Sequence, residues 1–395
     1  MALTKKKILL FTDWYEPGFK AGGPIQSCRN IVNLLSGDAT FYIVTSDRDL
    51  GDTQAYPGIQ TDTWLSKGNI NLFYSSPRAM TLNNILEMFR LLNPDVVYLN
   101  SMFSFRYTII PLWAIRKSGF RKRVVLAPRG MLAHSALAMK RWKKRPFLFA
   151  FSNSQLSKRM VFHATNQQEI TDIRKVMGPK ANIVYAANVP QVPNFVPEKE
   201  KREGQLNCLY LSRIHPIKNL AFALEVFNGI KDLRNIRFDI FGPVEDEQYY
   251  AKCFALARQL EENVEVNFMG PLDHGHLADT FKDYHLFFLP TKGENFGHAI
   301  FEALACGCPV LISDQTPWTD LEANNAGWSI SLDEEEEFRK KIREMYQLDH
   351  LAMREKSHAA YEYASKYVSS ANLKKNYSTL FGLEVNEASD AHPRA

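Results

Sequence analysis

Short, continuous apolar runs alternate along this chain with longer stretches of helical character. In the first half the runs are Ile8–Thr12, Phe41–Thr45, Val96–Leu99, Val124–Ala127 and Met160–Ala164. In the second half they are Cys208–Ser212, Arg237–Phe241, Glu265–Met269, Leu286–Leu289 and Val310–Ser313. Runs that are apolar throughout, rather than at every second position, predict strands buried on both faces of a parallel sheet. Helix-length segments between them predict an α/β fold with two doubly wound sheets. The pattern occurs twice, and the break falls near Asn188–Gln205, where Pro190, Pro193 and Pro197 precede a charged stretch, Glu198–Gly204. The expected organisation is a first domain over 1–190, a linker over 191–204 and a second domain over 205–368. A helix over 369–383 is expected to cross back to the first domain, and 384–395 to be a disordered tail. Two such sheets facing each other would gather the carboxyl ends of their strands around one cleft, so chemistry is sought just after strands.

Length and composition agree with two ordinary globular domains: 395 residues, 45% hydrophobic and 23% charged. The net charge of +5 conceals a division. Residues 1–190 carry 26 Lys and Arg against 11 Asp and Glu, a net of +15, and the remainder carries −10. From Val96 to Gln168 no acidic residue occurs over 73 positions that hold 14 Lys and Arg. This half is suited to an anionic partner. Nucleic acid would also suit it, but no recognition module accompanies the charge, so none is expected to bind. Arg116, Lys117, Arg121, Lys122, Arg123, Lys140, Arg141, Lys143, Lys144 and Arg145, with Trp142 and Phe147–Phe151 beside them, read either as a solvated face over a core segment or as a site for an anionic membrane surface or lipid diphosphate.

Five scattered cysteines, Cys28, Cys208, Cys253, Cys306 and Cys308, include no Cys-x-x-Cys. A zinc site is therefore not expected, and free thiols in a reducing cytoplasm are. Lys5–Lys7 followed by Ile8–Phe11 is too short for a signal peptide and reads as a first strand. No run approaches a transmembrane span, so the protein is expected to be soluble or attached at a membrane surface.

The strongest motif is the segment Glu294–Val310, which follows the Leu286–Leu289 strand and opens a helix near Gly297. Its two carboxylates, Glu294 and Glu302, are eight residues apart, a helical rise of about 12 Å. That exceeds the roughly 5–9.5 Å of a glycosidase pair and is near the span of a sugar nucleotide from hexose to ribose. Gly297 at the helix start would admit a diphosphate to free backbone N–H groups. The bland alternative is two solvated glutamates.

Next comes Leu209–Asn219, in which Arg213 and Lys218 lie on the loop after a strand; a fork and a mobile point charge suit phosphate, and surface charge is the alternative. Pro17–Pro24, with Gly22 and Gly23, follows the first strand and precedes a helix over Ile25–Leu35. It is not Gly-x-Gly-x-x-Gly, and no acidic residue closes the second strand in the dinucleotide manner, so NAD binding is not expected. Ala127–Leu132 places Arg129 after a strand, with His134 shortly beyond. Gly242–Pro243 and Gly270–Leu272 are strand-end turns. In His163–Thr165 with Glu169, Thr165 is expected to cap a helix and Glu169 to support the cleft.

The Glu-x7-Glu segment resembles the donor-binding signature of the retaining glycosyltransferases of family 4, which have the GT-B fold of two Rossmann-like domains facing across a cleft. The resemblance implies that Glu294 contacts the donor sugar and Glu302 the ribose, within a donor-binding segment that includes Asn295, Phe296, Gly297 and His298. Asn295 departs from the glycine usual there. Arg213 and Lys218 would neutralise the donor diphosphate, the Gly22–Gly23 loop would meet diphosphate and acceptor, and Gly242 would line the donor site. Many relatives carry a histidine where this chain has Pro128-Arg129-Gly130, as in a bacterial polysaccharide-assembly subgroup, which leaves Arg129 and His134 as catalytic candidates beside Glu294. The implied activity moves a sugar, with retention, from a nucleotide sugar to a glycan or lipid-diphosphate-linked saccharide. No metal is implied, and the sugar nucleotide is a co-substrate rather than a cofactor. A nucleotide-sugar epimerase of the same architecture and a non-catalytic binding or scaffold subunit remain open at this stage.

Overall fold

The computed structural model describes residues 5–133, 136–137, 141–189, 192–193, 198–272, 277–370 and 372–383, with the side chains at 141, 143 and 370 left aside. The chain divides into two compact units, 1–189 together with the segment from Asn372 onward, and 190–371.

The first unit is built on an eight-stranded sheet. Its strands are β1 (Lys6–Phe11), β2 (Ala39–Ser46), β3 (Trp64–Lys67), β4 (Ile70–Ser75), β5 (Val96–Leu99), β6 (Arg123–Leu126), β7 (Val161–Ala164) and β8 (Ile183–Tyr185). Their spatial order is β3-β4-β2-β1-β5-β6-β7-β8, parallel except for β3. The second unit has six parallel strands: β9 (Leu206–Leu211), β10 (Ile236–Phe241), β11 (Val264–Gly270), β12 (Leu286–Leu289), β13 (Val310–Ser313) and β14 (Gly327–Ile330). Their order is β11-β10-β9-β12-β13-β14. All four residues of β5, β12 and β13 are buried, the condition that produces apolar runs without alternation.

Four strands escape the apolar-run reading. β3, at the sheet edge, pairs antiparallel with β4, and only β3 and the first half of β4 are partly exposed. β8 has only three residues. β14 begins at Gly327, where a Cβ would stand 2.1 Å from the Val310 carbonyl oxygen, so close approach outweighs strand propensity.

In each unit the strand order reverses once at the centre, between β1 and β5 and between β9 and β12. Loops leaving the carboxyl ends of such neighbours diverge to opposite faces and open a crevice, the place where doubly wound sheets bind ligands. The crevice-facing loops are those after β1, β5 and β6 in one unit and after β9 and β12 in the other.

Residues 198–204, expected to be a linker, are part of the second unit. The Lys199 ammonium is buried and donates to the Phe281 carbonyl, and Lys201 donates to the carbonyls of Arg202, Tyr346 and Leu348 at 2.7–3.1 Å. The Phe281, Tyr346 and Leu348 carbonyls lie at helix C-termini, where cations oppose the negative end of the dipole. The expected single helix over 369–383 is two: His350–Ser370 in the second unit, and Leu373–Phe381 in the first. Tyr377 meets His163 and Phe381 meets Tyr98, each with ring centroids 5.4 Å apart. Arg123 donates to the Leu380 and Thr379 carbonyls at 2.7 and 3.0 Å, capping that helix's C-terminus, and Lys6 donates to the Gly382 carbonyl. The expected tail at 384–395 lies outside the described residues.

Candidate functional site

In the second unit the β9/β12 reversal brings together two signals far apart in sequence. Lys218 Nζ donates to Glu294 Oε1 at 2.5 Å, and both side chains are nearly covered, 12% and 13% exposed. Each is held from its own strand. After β9, His215 Nδ1 accepts from the Ile217 amide at 3.2 Å, closing the turn Pro216–Lys218, and Asn219 takes a left-handed φ of 58° before the helix Leu220–Asn228. After β12, the Lys292 amide and Thr291 Oγ1 both donate to the Ile217 carbonyl, at 2.7 and 3.1 Å, tying the loops together. The Glu294 amide donates to the Gln315 carbonyl at 3.0 Å.

Gly297, at φ 78°, caps the helix His298–Ala305. A Cβ there would lie 2.7 Å from Ile300 Cδ1, and the left-handed φ also favours glycine. The helix therefore starts four residues after Glu294. The 12 Å helical rise between the two glutamates does not apply, because Glu294 belongs to the loop and only Glu302 to the helix. Phe296 is buried among Phe301, Trp318 and Tyr367, and Trp318 Nε1 donates to the Phe296 carbonyl at 2.5 Å. It anchors the loop, while Glu302 is half-buried. His298 packs edge-on against Phe296 at 4.8 Å, and Asn295 lies in the loop between Glu294 and that anchor.

Arg213 donates to Glu245 Oε2 at 2.5 Å, so the Arg213 and Lys218 side chains hold different carboxylates. Gly242 ends β10 at φ 143°, and a Cβ there would stand 1.9 Å from the Ser212 carbonyl oxygen. The Gly242 amide donates to the Gly270 carbonyl at 2.8 Å, so the two strand-end turns support each other beneath the Arg213 loop.

The first unit gathers a different set. Arg129 has a left-handed φ of 55°, and its guanidinium makes three bonds: Nε to Asn100 Oδ1 at 2.7 Å, Nη1 to Asn188 Oδ1 at 2.7 Å and Nη2 to the Tyr98 hydroxyl at 2.9 Å. These partners stand on or after β5 and β8, flanking the β6 loop that carries Arg129. The hydrogen-bond sense is fixed by chemistry. His163 Nε2 lies 2.8 Å from the Ala186 carbonyl, which only accepts, so Nε2 carries the proton. Nδ1 then accepts from the Tyr98 hydroxyl at 2.9 Å, and that hydroxyl's oxygen accepts from Arg129. Glu169, also buried, accepts from the Gly130 amide at 2.7 Å and from the Thr165 amide and hydroxyl at 2.8 Å, which fixes the Arg129 loop. Asn166, not Thr165, caps the helix Gln167–Met177. His134 lies outside the described residues.

The glycine loop after β1 turns at Gly22 (φ 62°), which caps the helix Gly23–Leu35, so Gly23 opens that helix. Acidic residues do follow β2 directly. Asp47 pairs with Arg48, and the buried Asp49 accepts from the Phe19 and Lys20 amides at 2.7 and 3.0 Å, holding the loop from beneath. Their task here is to order this chain's own loop. Asp13, directly after β1, receives the Ser104 hydroxyl at 2.7 Å, and burial raises its carboxyl above the ordinary range. Tyr98, Asn100, Asn188, Asp13 and Asp49 were not marked by the motifs; position at a strand's carboxyl end was the available signal.

Burial, reinforced by the Arg129 charge, pushes His163 down to about 3, and burial pushes His285 down to about 4. Both are neutral in the fold and bind protons more readily once unfolded. Stability is therefore full above the ordinary histidine value and falls as pH drops from about 6.5 toward 4, by about 1.4 kcal/mol per pH unit per histidine. His163→Gln keeps a donor and an acceptor without titrating. Its unfolding midpoint, measured across that range, is expected to fall about half as steeply as that of the native chain; an unchanged slope would remove His163 from the account.

Sequence and structure now define the class: the chain has the GT-B fold. A sucrose-phosphate synthase from Thermosynechococcus elongatus superposes with a TM-score of 0.69 at 14% identity, covering 96% of this chain and all of that one. Residues 192–367, nearly the whole second unit, match the family described as glycosyl transferases group 1. Two curated relatives are similar over shorter stretches. The GtfA subunit of the UDP-N-acetylglucosamine–peptide N-acetylglucosaminyltransferase of Streptococcus agalactiae is 24% identical over 38% of this chain. The D-inositol 3-phosphate glycosyltransferase of Rhodococcus erythropolis is 30% identical over 28% of this chain. The matches span 29% and 26% of those proteins' lengths. The likeness to glycosyltransferases thus lies in the fold of the chain and in the sequence of its second unit.

Proposed function

We propose that this chain transfers a sugar from a nucleoside-diphosphate sugar to a glycan or lipid-diphosphate-linked saccharide, with retained anomeric configuration, as a family 4 enzyme of cell-surface polysaccharide or lipopolysaccharide synthesis. The observation that carries the reading is the Lys218–Glu294 juxtaposition at the strand-order reversal of the unit that matches a glycosyltransferase family. In this reading Glu294 holds the donor sugar and Glu302 the ribose. Lys218, Arg213 and the backbone N–H groups behind Gly297 meet the diphosphate, and the loops carrying Asn295, Phe296, His298 and Gly242 shape the donor site. Within the first unit, Arg129 and the Gly22–Gly23 loop suit an anionic group of their own.

As the anomeric C–O bond breaks, its electron pair goes to the diphosphate oxygen, and that growing charge is what cations and helix N–H dipoles stabilise most. The acceptor oxygen bonds to the anomeric carbon on the same face, and its proton passes to the departing phosphate oxygen, so no separate general base is needed. No metal enters the scheme: the two basic side chains and the helix start supply the positive charge. The five free, buried cysteines suit a reducing cytoplasm, and a lipid-borne acceptor would hold the protein peripherally at the membrane's inner face. Among the described residues no helix is long and apolar enough to cross a membrane.

A ligand that binds only the native state raises the unfolding temperature. A thermal-shift panel of nucleoside diphosphates and their sugars is expected to show stabilisation by one base family, with uridine diphosphate tested first. Product analysis with that donor is then expected to give free nucleoside diphosphate and an elongated saccharide, only when acceptor is present. An altered donor formed without acceptor would mark an epimerase, and binding without turnover a scaffold subunit.

A further inference from the structure

Of the ten cations flanking the Arg129 loop, Lys140 and the side chains of Arg141 and Lys143 lie outside the described residues, and the structure separates the other seven into those committed to the fold and those facing water. Arg123 caps the C-terminal helix, Lys122 pairs with Asp95 at 3.1 Å, and Lys144 donates to the Ala136 carbonyl at 2.6 Å while lying over the Phe103 ring. Arg116, Lys117, Arg121 and Arg145 are exposed.

Large apolar side chains stand among these exposed cations. In the helix Arg141–Ser152, Trp142, Arg145 and Phe149 follow the three-and-four spacing of one helix face, and Trp142 and Phe149 are 73% and 75% exposed. The opposite face is also apolar: Leu148 and Phe151 are buried in the unit's core. A helix that packs on one side against protein and on the other against water has no physical reason to be apolar on both. The neighbouring helical segment Phe105–Ser118 repeats the combination. Phe105 and Trp113, 60% and 52% exposed, stack edge-on at 5.9 Å, and Arg116 and Lys117 follow one turn after Trp113. Phe103, two residues before this segment, meets Phe147 of the helix Arg141–Ser152 with ring centroids 6.0 Å apart. No acidic residue exists anywhere in the sequence from 96 to 168 to weaken the field of this face.

We infer that the face carrying Phe105, Trp113, Arg116, Lys117, Trp142 and Phe149 docks on an anionic lipid bilayer. The aromatics enter the headgroup boundary and the cations meet lipid phosphate. A wholly basic surface would suit many polyanions; interleaved tryptophan and phenylalanine, standing proud of a helix already anchored by its other side, select an interface that is apolar beneath and anionic above. The inference deepens the membrane-side location proposed above and rests on it. Its test uses no sugar nucleotide, so it and the transferase reading can fail separately.

The experiment is co-sedimentation of the full chain with vesicles of phosphatidylcholine containing phosphatidylglycerol, against phosphatidylcholine alone. Binding is expected only to the anionic vesicles and is expected to weaken with salt. Trp142→Ser/Phe149→Ser, at exposed positions and with an unchanged unfolding midpoint as the check on folding, is expected to lose about tenfold in binding. Arg116→Glu/Lys117→Glu is expected to lose about twentyfold or more, and Lys231→Glu in the second unit nothing. Equal binding to both vesicle types, no binding at all, or variants that bind like the native chain would overturn the inference. So would a concentration-dependent dimer in sedimentation velocity that the Trp142/Phe149 variant dissolves, because the stripe would then belong to a second copy.

Discussion

A Lys218→Ala chain is expected to stay folded and to lose about 10²–10³-fold in kcat, the scale measured when one charge-stabilising donor is removed from an active site. The loop that carries Lys218 does not depend on its side chain. The His215 turn and the two bonds to the Ile217 carbonyl hold the backbone in place. What the substitution removes is the cation beside Glu294, 2.5 Å away. With both side chains nearly covered, the stability cost should fall between the ~0–1 kcal/mol of an exposed pair and the ~3–5 kcal/mol of breaking a fully buried one. Lys218→Arg restores charge but substitutes a planar fork for a point charge, and recovery is expected to be partial. Glu302→Ala, on the helix behind Gly297, is expected to abolish transfer with less effect on folding, since Glu302 is only half-buried. Full turnover in Lys218→Ala or Glu302→Ala would remove the donor-site assignment.

The largest structural effect is expected at Gly242. An added methyl carbon would stand 1.9 Å from the Ser212 carbonyl oxygen and 3.3 Å from the Arg213 nitrogen, both backbone atoms. The φ of 143° is also one that L side chains rarely adopt. Neither strand end can retreat easily: the Ser212 amide bonds the Phe241 carbonyl at 3.0 Å and the Gly242 amide bonds the Gly270 carbonyl at 2.8 Å. Gly242→Ala is therefore expected to cost more than about 4 kcal/mol, or on the order of 10 °C in the unfolding midpoint, and to reduce soluble yield. Gly293→Ala, three residues after the β12 loop begins, meets nothing within 4 Å and should change stability by less than about 0.5 kcal/mol. Denaturation of the pair separates close backbone approach from a general effect of removing loop glycines. A Gly242→Ala chain as stable as Gly293→Ala would refute the contact.

The central strands could be read from the sequence because burial on both faces leaves one physical signal, an unbroken apolar run. Val96–Leu99 and Leu286–Leu289 fall where the runs predict them, whereas the edge strand β3 and the partly exposed first half of β4 leave a mixed pattern that marks nothing. The donor-site candidates were legible for a related reason: Arg213, Lys218 and Glu294 lie on loops just after apolar runs. Their pairing was not. That Lys218 meets Glu294 rather than solvent follows from β9 and β12 being neighbours, a non-local fact that no spacing within either motif contains. The helical distance from Glu294 to Glu302 misled for the opposite reason, since a regular rise was extended through Gly297, where the helix has not begun. In the first unit Arg129 was visible, but Tyr98, Asn100 and Asn188, which hold its guanidinium, resemble ordinary strand and loop residues until the sheet places them side by side.

The division of the chain also dictates an order of events during synthesis. The second unit is one continuous segment and has all its residues as soon as Ala371 is made. The first unit is translated before it, yet lacks the helix Leu373–Phe381 until the whole second unit has been made. Until then Tyr98 and His163 are without the rings of Phe381 and Tyr377, and Arg123 has no helix end to cap. Domains usually mature from the amino terminus onward as the ribosome proceeds. Here the unit translated first is completed last, so a ribosome that drops off between Ala371 and Phe381 yields a finished second unit joined to an open first one.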